Sequence, residues 1–200
     1  MKKNRTHLVF AYGSNLYAPQ MIDRCRSARY VERAWIPEVR LIFASWSTRW
    51  GGGVAGLAME KRSRVHGVIY AVSDDDLESL DRFEGHPGVY SRVRCHLITP
   101  AGKRPAAYVY ALMRGVDRRA LPSIEYREAI RAGYEAWGLP KRDLDRALTR
   151  NLREYTARLQ SRLESVDRLL ERAKVARESC DGFDDVTLTD LAGFDIRRPA

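Results

Sequence analysis

Apolar positions change their spacing twice along this chain, and the changes divide it into three parts. From about Thr6 to Thr99 they come in short runs rich in β-branched and aromatic residues, the pattern of strands with short helices between them. Leu8 to Tyr12 reads as a buried strand, followed by the loop Gly13-Ser14-Asn15. Pro19 suits the first position of a short helix carrying Met21 and Ile22. Further strands are expected near Trp35–Trp46, Val54–Met59, Val65–Val72, Tyr90–Ile98 and Ala106–Met113. After Pro122-Ser123 the spacing turns helical through Tyr126, Ile130, Tyr134 and Trp137, until Gly138-Leu139-Pro140 stops it.

The last part differs in kind. Leu144, Leu148, Leu152, Tyr155, Leu159, Leu163, Val166 and Leu170 recur at steps of three and four, with no Gly or Pro between Lys141 and Ser179. That predicts one long amphipathic helix, or two, supported by Glu154–Arg158 and Glu164–Arg168 at i, i+4. Such a stripe needs a cover, and the expectation is its own domain or a dimer mate. Residues 181–200, with five acids and two arginines, read as a loosely held tail. The expected organisation is a mixed domain over 1–140, a helical extension over 141–180 and the tail.

One short acidic segment carries candidate chemistry. Ser73 with Asp76 three residues on is a capping-box signal, so a helix is expected to begin there and to stop at Gly85. On that helix Leu77, Leu80 and Glu84 fall at i, i+3 and i+7, on one face. Glu84 therefore points inward, in the last turn, where the backbone dipole is negative. Burial and dipole both disfavour the anion and raise its pKa, which suits a general acid/base. The alternative is that Glu84 pairs with one of the many arginines and does nothing else.

Composition narrows the function classes. A chain of 200 residues with 44% hydrophobic content, ten tyrosines and four tryptophans can bury a real core. The formal charge is +9; residues 1–140 carry +8 of it and 141–200 the remaining +1. The excess is spread over the mixed domain and is no basic tail. With no zinc-finger or helix-turn-helix signal, nucleic acid is not the expected partner, and the spread fits a basic soluble protein or a surface that attracts anionic small molecules. Cys25, Cys95 and Cys180 form no C-x-x-C pair, and no metal-ligand spacing links them to His7, His66, His86 or His96. Nothing resembles a signal peptide or an 18-residue apolar span, so the expectation is a cytoplasmic protein free of membranes.

Tyr12-Gly13-Ser14-Asn15 lies between a strand and a helix, where successive N–H groups can converge on an anion. Gly13 is expected to give the turn a conformation closed to other residues. Ser14 is no hydrolase nucleophile, since the G-x-S-x-G elbow is absent. As a lone tetrapeptide the loop is equally a plain tight turn.

The ordered set is more specific. Phe10-Ala11-Tyr12-Gly13-Ser14-Asn15-Leu16, Trp50-Gly51-Gly52-Gly53-Val54-Ala55, His66-Gly67-Val68-Ile69-Tyr70 and Asp76-Leu77…Glu84-Gly85…Tyr90 resemble the γ-glutamylcyclotransferase family. The likeness continues through Ala107-Tyr108-Val109-Tyr110 and Pro122-Ser123-Ile124-Glu125-Tyr126 to Pro140, about two thirds of the chain. It implies an α+β fold, a small mixed β-barrel with flanking helices. The implied reaction cyclises the glutamyl part of a γ-glutamyl compound to 5-oxoproline, releasing an amine without metal or organic cofactor. The family's catalytic glutamate maps onto Glu84 and its anion-binding loop onto Tyr12, Gly13, Ser14 and Asn15, with Leu16 beside them also expected to bind the substrate. Tyr90 and Tyr126 match tyrosines that line the family's pocket, whereas His86 falls where the family varies and reads as a surface residue. A non-catalytic anion-binding or interaction module of the same fold is the alternative.

Overall fold

The computed structural model describes residues 5–113 and 120–180; the expected tail, 181–200, lies outside the described residues. Two compact units are present, the first ending at Thr156 and the second starting at Ala157. In order the elements are β1 (Thr6–Ala11), a 3-10 turn (Ser14–Leu16), α1 (Ala18–Arg24), β2 (Arg29–Ser47), β3 (Gly52–Ser73) and α2 (Asp74–Glu84). Then come β4 (Tyr90–His96), β5 (Ala106–Leu112), α3 (Ile124–Ala136) and α4 (Lys141–Cys180).

The α+β class holds, but the sheet is open. Its order is β2-β3-β1-β5-β4, with β1 antiparallel to β3 and parallel to β5. The expected barrel is reduced to one isolated bridge, in which Trp35 and Ile98 exchange two backbone hydrogen bonds of 2.9 Å. The three strands expected between Trp35 and Val72 are instead one long hairpin of β2 and β3. Glu60 to Ser63 looked like a polar break, yet they form a bulge: the partner of Pro37 is Arg64 and that of Val39 is Met59. Arg62 sits there at φ 61°, its N–H donated to both carboxylate oxygens of Glu38.

Local signals place α2 as expected. The Ser73 hydroxyl accepts the Asp76 N–H, the Asp76 carboxylate accepts the Ser73 N–H, and Gly85 ends the helix at φ 61°. Leu77 and Leu80 are buried, so the face that carries Glu84 does look inward. Pro19 lies in the first turn of α1.

Two packing contacts fix the parts that later matter. α3 starts at Ser123, whose hydroxyl accepts the Tyr126 N–H, and it lies against the 3-10 turn. There a Cβ on Gly133 would stand 2.4 Å from Leu16 Cβ and 2.7 Å from its carbonyl carbon. The Trp137 indole donates to the Leu16 carbonyl at 2.7 Å, pinning the same turn. The first turns of α4 also belong to this unit: Leu144, Ala147 and Asn151 are buried, and the Asn151 amide donates to the Phe43 carbonyl at 2.9 Å. Burying one leucine side chain contributes about 1.5–3 kcal/mol. In the second unit Leu159, Leu163, Val166 and Leu170 are exposed, so that half of the stripe has no cover within its own chain segment.

Gly133→Ala tests the close approach of α3 to the 3-10 turn. Alanine gains about 1 kcal/mol of helix propensity, while forcing a methyl against the Leu16 backbone costs about 1–3 kcal/mol. A lower urea midpoint is expected; a higher one would show that the helices have room to spare.

Candidate active site

β1 is the central strand, and the chain leaving it at Ala11 turns at once into the 3-10 helix. Gly13 is needed there for closeness. Its φ is −110°, so no positive φ demands a glycine, but a Cβ would lie 3.1 Å from Ala55 Cβ on the neighbouring β3. At the start of the 3-10 turn the Ser14 and Asn15 N–H groups have no acceptor within the turn. α2 brings its last residue, Glu84, to face this loop.

The two meet directly. The Asn15 amide donates to Glu84 Oε1 at 2.9 Å, and Arg24 Nη1 donates to the same oxygen at 3.2 Å. Arg24 Nη1 also reaches Asn15 Oδ1 at 2.8 Å, and the Gln20 amide spans Ser14 Oγ at 2.8 Å and Asn15 Oδ1 at 3.2 Å. A carboxylate only accepts and a guanidinium only donates, so this ring of contacts dictates which way the Asn15 amide points. The Glu84 side chain keeps 15% exposure, so its carboxyl borders a cleft and is not sealed in the core.

That cleft is about 380 Å³, bounded by Tyr12, Gly13, Ser14, Asn15, Ala55, Glu84, Tyr90, Tyr110 and Tyr126 together with the end of β1. Burial pushes the Glu84 pKa above the usual carboxylate range, while the Arg24 charge, the Asn15 bond and Arg49 pull it back. Burial in turn lowers the Arg24 pKa. Burial also raises Tyr12 and Tyr90 well above an ordinary phenol and Tyr126 to about 12, so all three stay protonated at neutral pH. Their hydroxyls are not equivalent. Tyr12 donates to the Tyr110 carbonyl at 2.6 Å and Tyr90 to the Ala55 carbonyl at 2.8 Å. Tyr126 accepts the Ala55 N–H at 2.9 Å, and its hydroxyl also meets the Ser14 side chain.

Of the residues expected from sequence, Tyr12, Gly13, Ser14, Asn15, Glu84, Tyr90 and Tyr126 share this one cleft. Leu16 does not border it; the side chain is fully buried beneath the turn, against Gly133. His86 is half-buried, its Nδ1 beside the Tyr90 carbonyl and the Arg92 N–H, so it ties the end of α2 to β4. Sequence reasoning missed Arg24, Gln20, Ala55 and Tyr110. Gln20 and Arg24 stand at i, i+4 on α1 just after the loop, a usable signal, but among so many arginines nothing marked Arg24 out. Among the described residues no group of three or more His, Cys, Asp or Glu converges as metal ligands. No helix among them is long and apolar enough to cross a membrane.

An α+β fold whose central strand feeds a loop facing a partly buried acid has known counterparts. A sequence model described as gamma-glutamyl cyclotransferase, AIG2-like, matches residues 9–129. The γ-glutamylcyclotransferase of Mus musculus is 29% identical over 170 residues, 82% of this chain and 89% of that protein. The Homo sapiens γ-glutamylcyclotransferase is 29% identical over 164 residues, 80% and 86% of the two chains. A solved structure named gamma-glutamyl cyclotransferase superposes with a TM-score of 0.66 at 28% identity, covering 72% of this chain and 86% of its own. The chain belongs to the gamma-glutamyl cyclotransferase, AIG2-like family.

Arg24→Gln removes the positive charge nearest Glu84 while leaving an amide that can donate. The Glu84 pKa, raised by burial and held down chiefly by Arg24, then moves further up. A carbon-13 NMR titration of the Glu84 carboxyl in both proteins should show the variant titrating at the higher pH. An equal or lower midpoint would mean that Arg24 does not tune the acid.

Proposed function

We propose that this chain is a γ-glutamyl cyclotransferase, converting a γ-glutamyl-amino acid or γ-glutamyl-amine to 5-oxoproline and a free amine, with Glu84 as general acid/base. The observation that carries the reading is the single cleft shared by the Glu84 carboxylate and the loop of residues 12–15. The family and the names of its relatives supply the reaction class.

The chemistry follows from what the substrate lacks. Its α-amine is the nucleophile, but at neutral pH it is an ammonium ion. Ionised Glu84 takes one proton from it; the amine nitrogen then bonds to the γ-carbonyl carbon and the carbonyl oxygen becomes an oxyanion. Donors at Ser14 and Asn15, with the Tyr126 hydroxyl beside them, suit that oxygen or the substrate's α-carboxylate. Loss of one such donor costs about 10²–10³ in rate. As the tetrahedral centre collapses, the bond to the departing nitrogen breaks, Glu84 returns its proton to that nitrogen, and the surplus proton of the ring nitrogen passes to the released amine, which leaves as an ammonium ion. A raised pKa makes Glu84 a stronger base toward the ammonium, and the Arg24 and Asn15 contacts keep enough of it ionised to act. Nucleophile and electrophile are one molecule, so the tyrosine walls have a second task, folding the substrate into a ring-like conformer.

Incubation with a panel of γ-glutamyl-amino acids and γ-glutamyl-amines should release 5-oxoproline, and Glu84→Gln should retain the fold yet lose at least about a hundredfold in kcat. Cyclisation by Glu84→Gln at the normal rate would remove Glu84 from the mechanism. With no 5-oxoproline from any substrate, but a melting temperature raised by a small carboxylate, the chain would be a binding module. The rate should also rise with pH through a midpoint above the usual glutamate range, because only the ionised form accepts the proton. Activity that falls across that range would give the base role to another group.

A further inference from the structure

Arginines from β2, β3 and α4 also gather away from the cleft at Glu84. We propose that an arginine-lined cleft between the β3 bulge and the first turns of α4 binds a small ligand carrying two or more phosphate groups. The cleft is about 710 Å³ and is formed by Arg62, Ser63, Arg64 and His66 from β3 and by Arg142, Asp143 and Arg146 from α4. A second hollow of about 730 Å³ adjoins it, sharing Ser63, Arg64, Asp143 and Arg146 and adding Arg40, Glu60 and Arg150. Neither has a wall in common with the Glu84 cleft.

Six arginines therefore line the two hollows with two carboxylates, both already engaged, and Glu154 beside them also takes Arg40 at 3.1 Å and Arg150 at 3.2 Å. Glu60 takes Arg150 at 2.6 Å and Arg40 at 3.7 Å, and Asp143 takes His66 Nδ1 at 2.8 Å. Among the described residues no carboxylate lies within ion-pair distance of Arg62, Arg64 or Arg146. Arg142 and Arg146 stand at i, i+4 on α4, a like-charge pair that destabilises a helix unless an anion joins it. They also occupy its first two turns, toward the positive end of the helix dipole.

One fork is held in place before any ligand arrives, and the backbone that carries another is tied down. The Arg64 guanidinium lies 5.5 Å over the Trp35 ring, and the bulge carrying Arg62 is tied by its N–H to Glu38. Planar guanidinium groups match phosphate oxygens two at a time, so several around one hollow suit a multiply charged phosphate better than a single carboxylate. The concave shape is that of small-molecule sites. Single-stranded nucleic acid needs an exposed aromatic face for stacking, and Arg64 already covers Trp35.

Calorimetric titration of the full chain with inorganic tripolyphosphate, at about 150 mM salt so that diffuse attraction is screened, tests the site. Saturable one-to-one binding is expected, at least about tenfold tighter than for orthophosphate. The double variant R64M/R146M should weaken it at least about tenfold, while R172M, in the second unit, should leave it unchanged. Should the double variant fail to fold by circular dichroism, R142M alone, on the exposed helix face, should still weaken binding severalfold. The proposal is overturned by the absence of saturable binding, by cleft variants that bind like the parent, or by a short single-stranded RNA that binds more tightly than tripolyphosphate. Binding here does not depend on the cyclotransferase reading, so either can fail alone.

Discussion

The contact on which the site depends joins the first turn of the chain to the end of α2: Asn15 and Arg24 both grip one oxygen of Glu84. A carboxylate taken out of water is costly unless it is paired or hydrogen-bonded, and here both remedies come from the segment just after β1. The same three side chains therefore hold the acid ionisable, aim the Asn15 amide and fix the loop against α2. Arg24 shares the cost, being itself almost fully buried with only part of its guanidinium engaged. An arrangement chosen for stability alone would fill this space with apolar side chains.

The surrounding fold supplies the geometry that this contact requires. Gly13 lets the turn lie on β3, Gly133 lets α3 lie on the turn, and Trp137 pins the Leu16 carbonyl. The capping box and Gly85 then fix where α2 ends, which puts residue 84 and no other at the cleft. Ala55 completes the wall with two backbone bonds, its carbonyl taking the Tyr90 hydroxyl and its N–H going to Tyr126. These two bonds separate the tyrosines by role, since Tyr90 donates to Ala55 and Tyr126 accepts from it.

What could be read beforehand was local. The cap at Ser73, the stop at Gly85 and the i, i+3, i+7 face are set by neighbours within a turn or two, and each appears in the structure. The ordered motifs brought the loop and the acid into one account. What escaped was long-range: Arg24 meets Glu84 across 60 positions, and the Ala55 bonds join β3 to α3 and β4. No spacing encodes such pairings. The break expected at Glu60–Ser63 misled for a related reason, because a polar stretch reads as a loop until a partner strand holds it as a bulge. Glu84 also turned out to satisfy two readings at once, paired with an arginine and facing a cavity. Leu16 belonged to the motif for its packing, not for contact with a ligand.

The central claim is spatial: the acid and the loop serve the same bound molecule. A crystal structure with 5-oxoproline tests it most directly. The account predicts the ring nitrogen within about 3.2 Å of the Glu84 carboxylate, or one water away, with an oxygen of the ligand on the N–H groups of Ser14 or Asn15. A ring bound in another cavity, or bound by the loop with Glu84 turned to solvent, would contradict it.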